Sequence, residues 1–143
     1  MDILQTYVYS ALHRISSVDG ILNNSPSGSF PMLLHIAHGV EWVRAQEDGL
    51  YQTGSLHDQG YIHCSYPHQV IEVANSSYKG QRGLVLLHID PDRLDSRVVE
   101  EDGGSGELYP HVYGPINVGA VVKVERLEPG EDGFFTYPDM NDS

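Results

Sequence analysis

The sequence holds a single cysteine, Cys64, among 143 residues. No internal disulfide can form, which excludes the stapled framework of a small secreted protein. No run of about eighteen apolar residues occurs, so no membrane-spanning helix is readable. The first residues carry Asp2 where a secretory leader would carry Lys or Arg. The cytoplasm is the expected compartment. Cations are also scarce: eight Lys and Arg against twenty Asp and Glu give a formal charge of −12. A surface of that sign repels phosphate backbones and anionic lipid, so neither nucleic acid nor a membrane is expected as a partner. The acids gather over Asp90 to Glu107 and Glu125 to Asp142, which read as a solvated face and a frayed tail. A chain of this length fits one domain around one core.

Apolar residues recur with clear periods. Ile3, Leu4, Tyr7, Val8, Ala11, Leu12, Ile15 and Val18 fall at helical spacing, which predicts an amphipathic helix within residues 1–22. Its apolar face must cover either this domain's core or a second copy, as a homodimer. Residues 23–31 are rich in turn formers and read as a linker. In the main domain, 32–128, Met32 to Ala37 is a short apolar strand, Val40 to Glu47 a helix closed by Gly49, and Tyr61 to Ser65 a strand. Pro67 to Tyr78 reads as a helix and Leu84 to Ile89 as a buried strand. Arg97 to Glu100 is weakly extended, 102–106 is a glycine-rich loop, and Ala120 to Leu127 alternates as a half-buried strand does. Helices cluster early and strands late, so the fold class is α+β; residues 129–143 form the acidic tail.

Eight histidines occur, and five of them, His35, His38, His57, His63 and His68, fall within 34 positions. Imidazole titrates near neutrality, so histidines grouped at strand ends can exchange protons or orient a polar ligand. His35 and His63 stand out because each sits in or closes an apolar strand, where an unpartnered imidazole loses about a few kcal/mol to desolvation. His13, His57, His68 and His88 read as satisfied or solvated. A zinc site from His35, His38 and either His63 or His111 is the competing reading. His35 ends a strand while His38 begins a turn, so their side chains need not converge and no metal is expected. Cys64 points to the other strand face from His63 and reads as a small hydrophobe rather than a nucleophile. Strand alternation puts Tyr61, His63 and Ser65 on one face. If 107–113 is extended without a kink at Pro110, Glu107, Tyr109, His111 and Tyr113 share another.

At these residues the chain resembles the domain-of-unknown-function 952 family. The likeness runs in order through Leu34-His35-Ile36, Trp42, Gly60-Tyr61-Ile62-His63-Cys64-Ser65, Gln69-Val70, Ala74-Asn75, Lys79-Gly80, the stretch from Leu84 to Leu94, that from Gly106 to Pro115, and Ala120-Val121-Val122. The resemblance implies a fold similar to the ADP-ribosyltransferase superfamily, including the tRNA 2′-phosphotransferases: a compact split β-sheet with flanking helices, to which this chain adds its N-terminal helix. His35 matches the histidine that fixes the ribose on the adenosine side. Tyr61-Ile62-His63-Cys64-Ser65 is similar to a second cleft strand at its histidine and serine. The third position, commonly a glutamate, has two candidates, Glu107 and His111, with Glu107 preferred as the acid. Trp42, Tyr61, Asn75, Tyr109 and Tyr113 are the implied substrate contacts.

The function so implied is a small-molecule enzyme acting on NAD or a nucleotide-like substrate, with a carboxylate stabilising the ribosyl cation left when nicotinamide departs. The scarcity of arginine departs from the phosphotransferases, because handling RNA phosphates takes several positioned cations. Two alternatives stand beside it. One is a tailoring enzyme, such as an isomerase, cyclase or lyase, using His63 and His111 as acid and base. The other is a non-catalytic ligand-binding module.

Overall fold

In the computed structural model, which describes residues 30–138, the chain runs through β1 (Leu33–His38), α1 (Gly39–Asp48), β2 (Leu50–Tyr51), α2 (Gly54–Gln59) and β3 (Ile62–His63). It continues through α3 (Val70–Ser77), β4 (Leu84–Ile89), β5 (Arg97–Asp102), β6 (Leu108–Tyr113), β7 (Ile116–Asn117) and β8 (Val121–Leu127). The strands form antiparallel sheets of order β1-β4-β8, β3-β6-β5 and β2-β7. The architecture is α+β. The expected N-terminal helix, most of the linker and residues 139–143 lie outside the described residues.

The β1-β4-β8 sheet is covered on both faces, which explains the unbroken apolar run of β4. Leu84 and Leu86 pack with Leu34, Ile36, Val70, Ala74 and Phe135 on one side. Val85, Leu87 and Ile89 pack on the other with Leu33, Ala37, Trp42, Tyr51 and Val112. In α1, Trp42 and Ala45 fall three residues apart and bury the same stripe. Gly49, at φ 85°, ends that helix by donating its N–H to the Ala45 carbonyl. Helix α2 was not expected from the sequence: it lacks an apolar stripe, and a cap makes it, with the Thr53 hydroxyl accepting from Leu56 N–H.

The expected strand over Tyr61–Ser65 is shorter, and Pro110 explains why. Strand β6 is central in its sheet, a place where proline's missing N–H breaks a ladder. Cys64 N–H donates to the Pro110 carbonyl, but Pro110 has no hydrogen to return, so the β3–β6 ladder stops after His63 and His111. The chain then leaves β6 for β1: Ser65 and Leu34 exchange both backbone hydrogen bonds, each 2.8 Å. The two three-stranded sheets thus meet at Leu34 and Ser65 and part beyond them. Pro110 does not kink β6, which pairs with β5 along its whole length, Glu100 opposite Pro110.

Two sequence expectations are corrected by packing. Residues 129–138, assigned to a frayed tail, close over α3 and bury Phe135 in the second core. Asn75, expected at the substrate, holds that segment instead: its Nδ2 donates to the Phe135 carbonyl and its Oδ1 accepts the Phe135 N–H, at 3.3 and 2.7 Å. Asn75→Ala is expected to lower stability by about 1–2 kcal/mol through loss of this pair, read as a shift in the urea midpoint at unchanged slope.

Candidate active site in the cleft between the sheets

Where the sheets part, a cavity of about 640 Å³ opens, lined from β1, β3, β6, α2 and α3 and from the loop after β5. That volume suits a small organic molecule. Into it the fold brings His35, Tyr61, His63, Ser65, Tyr109 and His111. Both sheets deliver them: His35 from β1, and, by strand alternation, 61, 63 and 65 from the β3 segment and 109 and 111 from β6.

His35 is a fixed element of the wall. Its Nδ1–H donates to the His63 carbonyl at 2.6 Å, and its Nε2 accepts from the Tyr51 hydroxyl at 2.9 Å. Burial holds this imidazole neutral, with its pKa lowered from 6.5 to about 4. The same burial raises Tyr51 well above the usual phenol range, so the hydroxyl keeps its proton. Both ring nitrogens of His35 are engaged, and the residue positions its neighbours.

His63 and His111 face each other across the cleft. They sit directly opposite each other on β3 and β6, at a pair without mutual backbone hydrogen bonds, where side chains approach most closely. Their ring centroids are 5.4 Å apart, and Tyr61 lies flat on His111 at 4.0 Å. His63 Nε2–H donates to Gln59 Oε1 at 2.7 Å, which leaves the Nδ1 lone pair for a ligand. Partial burial, helped by the neighbouring His111, lowers the pKa of His63, so it is neutral at pH 7. His111 Nδ1–H donates to Glu101 Oε1 at 2.7 Å, and the Tyr113 hydroxyl donates to the same oxygen at 2.7 Å. Those two donors, Tyr113 first, hold the Glu101 carboxyl below its ordinary pKa.

A carboxylate, an imidazole and an open Nε2 in line form the constellation by which an acid orients and charge-balances a histidine base. The carboxylate beside His111 is Glu101, which sequence reasoning passed over among the charges of 90–107. Glu107 is engaged elsewhere: Gln69 Nε2 donates to it at 2.8 Å and the Tyr109 hydroxyl at 3.4 Å. Trp42, 1 % exposed, packs against Tyr51 in the core and does not reach the cleft. Tyr113 donates its hydroxyl to Glu101, with Arg97 over its ring. Cys64 is buried, its thiol pushed up to about 12, so almost no thiolate forms at neutral pH. Among the described residues no three His, Cys, Asp or Glu side chains gather as metal ligands, and no helix is long and apolar enough to cross a membrane.

Fold and site together define a small α+β protein with a histidine-lined cleft at the junction of two sheets. The profile of the family described as "Protein of unknown function (DUF952)" matches residues 36–124, and the chain belongs to that family. It is similar to the crystal structure of protein CC0527 from Caulobacter crescentus, with 30 % identity and a TM-score of 0.67 over 74 % of this chain and 94 % of that one. The solution NMR structure of CC0527 gives 28 % identity and a TM-score of 0.60 over 72 % and 90 % of the two chains. No curated protein matches the sequence.

Proposed function

We propose that this protein is an enzyme that performs acid–base chemistry on a small molecule held between His63 and His111. The observation that carries the reading is the Glu101–His111 hydrogen bond facing His63 across 5.4 Å. His111 Nε2 takes up a proton from the substrate while Glu101 balances the charge. His63, kept neutral, accepts a hydrogen bond from the substrate through Nδ1, and the protonated His111 returns its proton to the product or leaving group. Isomerase, cyclase and lyase reactions all take this form. Mass spectrometry of a metabolite panel incubated with the full chain tests it. Consumption of a panel member that fails in His63→Ala and His111→Ala is the expected result; no turnover, or turnover surviving both changes, overturns the proposal. Where His63 must be neutral, the rate is expected to fall as pH drops below 6.5, toward the lowered pKa of that residue.

A second reading keeps NAD or a nucleotide-like molecule as substrate, in a cleft resembling the split sheet of the ADP-ribosyltransferases. The Leu34–Ser65 bridge favours it, since it sets His35 and Ser65 side by side where the sheets part. Release of nicotinamide from NAD, lost in His35→Ala, is its test.

A further inference from the structure

The hydroxyl groups of the cleft divide into two sets. Tyr51 is committed to His35, and Ser55 donates to the Tyr61 carbonyl at 2.8 Å. The side-chain hydroxyls of Tyr61, Ser65, Ser77, Tyr78 and Ser105 line the same cavity and make no hydrogen bond among the described residues. Ser65 is only 5 % exposed. A hydroxyl is costly to shut away unpaired, so Ser65, on the cavity wall, offers a place for a ligand or solvent atom. Hydroxyls both donate and accept. Their best complement is a molecule whose own groups do both.

Charge narrows the class further. Among the described residues no Lys or Arg lines the cavity, whereas Glu41 and Asp102 both are on its wall. Four of the described cations are engaged elsewhere: Lys79 over the Phe134 ring, Arg97 over Tyr113, Arg93 against Asp90 and Lys123 against Glu125. Asp102 Oδ1 accepts the N–H groups of Gly104 and Gly106 at 2.7 and 2.9 Å, which hold the carboxyl ionised. A helix N-terminus can replace a cation at a phosphate. The first turn of α1, however, carries Glu41, whose charge cancels what that helix end offers.

Resting on the acid–base reading above, we propose that the cleft takes a polyhydroxylated small molecule without phosphate, a sugar or glycoside, and that Glu41 and Asp102 reject phosphorylated forms. The free hydroxyls of Tyr61, Ser65, Ser77, Tyr78 and Ser105 exchange hydrogen bonds with the substrate's own hydroxyls. A carboxylate accepts the two hydroxyls of a diol but repels a phosphate dianion.

Isothermal titration of the full chain with matched pairs tests the proposal: ribose against ribose 5-phosphate, adenosine against its 5′-monophosphate, and uridine against its own. The unphosphorylated member of at least one pair is expected to bind about tenfold more tightly, and the gap to narrow in high salt. In the double variant Glu41→Gln, Asp102→Asn the gap is expected to shrink to about threefold or less, with the circular dichroism spectrum unchanged. Monophosphates binding as tightly as their parents overturn the proposal, as does absence of binding by all three unphosphorylated probes at about 10 mM. Binding preference is read without turnover. A preference that holds while His63→Ala and His111→Ala leave turnover intact refutes the acid–base reading alone; loss of the preference with histidine-dependent turnover refutes the substrate class alone.

Discussion

His111→Ala is expected to lower kcat by about 10²–10⁴-fold, the range general acid–base groups contribute, with the fold retained. The ring is held at three points: cross-strand from His63, face to face with Tyr61, and through Nδ1 to Glu101. Alanine removes the proton acceptor and leaves the Glu101 carboxylate, already half solvated, free to hydrate. The stability cost is therefore modest and separable from the kinetic one. Glu101→Gln tests the arrangement more finely. Its amide oxygen still accepts from Nδ1–H, but it no longer balances the charge that appears when Nε2 takes a proton, so kcat falls about tenfold or more at nearly unchanged KM. Tyr113→Phe removes the second donor to the same oxygen and shifts the pH profile, a readout that a purely structural role of Tyr113 would not move.

Acid is expected to destabilise the fold through His35. The unfolded chain binds a proton on this imidazole below pH 6.5, whereas the folded chain resists until about pH 4. Protonation therefore favours unfolding in that window. Stability is whole above pH 6.5 and is lost as pH falls toward 4, by on the order of 3 kcal/mol for this group alone. His63 and His88, also lowered chiefly by burial, add slope of the same sign. Urea midpoints from pH 4 to 7 measure the total, and the difference between the native chain and His35→Gln isolates the share of His35. A variant as steep as the native chain would show that this imidazole is not the buried neutral group described.

The elements most legible in the sequence were those with a local period. The structure starts and ends β4 at Leu84 and Ile89 as expected, and extends the helix over Val40–Glu47 by one residue at each end. Alternation likewise placed Tyr61, His63, Ser65, Tyr109 and His111 on faces that meet. What alternation within one strand could not give was the partner strand. Glu101 reaches His111 because β5 and β6 pair with Glu101 opposite Tyr109, one diagonal step away. The signal was present: Arg97–Asp102 and Leu108–Tyr113 flank a glycine-rich turn, and folding them as a hairpin brings the acid to the histidine. Reading 90–107 as one solvated charge run hid it. Trp42 and Asn75 entered through family likeness, which marks positions without saying whether they face a ligand or a core. Helix α2 is set by the Thr53 cap and no apolar stripe, so a search for periodicity passes over it.

Pro110 gives the hollow an unusual origin. An opening forced by bulk would strain its walls, and one held by water would shut when drained. Here the zipper halts because one tooth is missing, and the neighbouring thread is caught by another seam at Leu34. The gap needs no wedge to keep it apart, and a residue bearing an amide hydrogen at this position would restore the tooth.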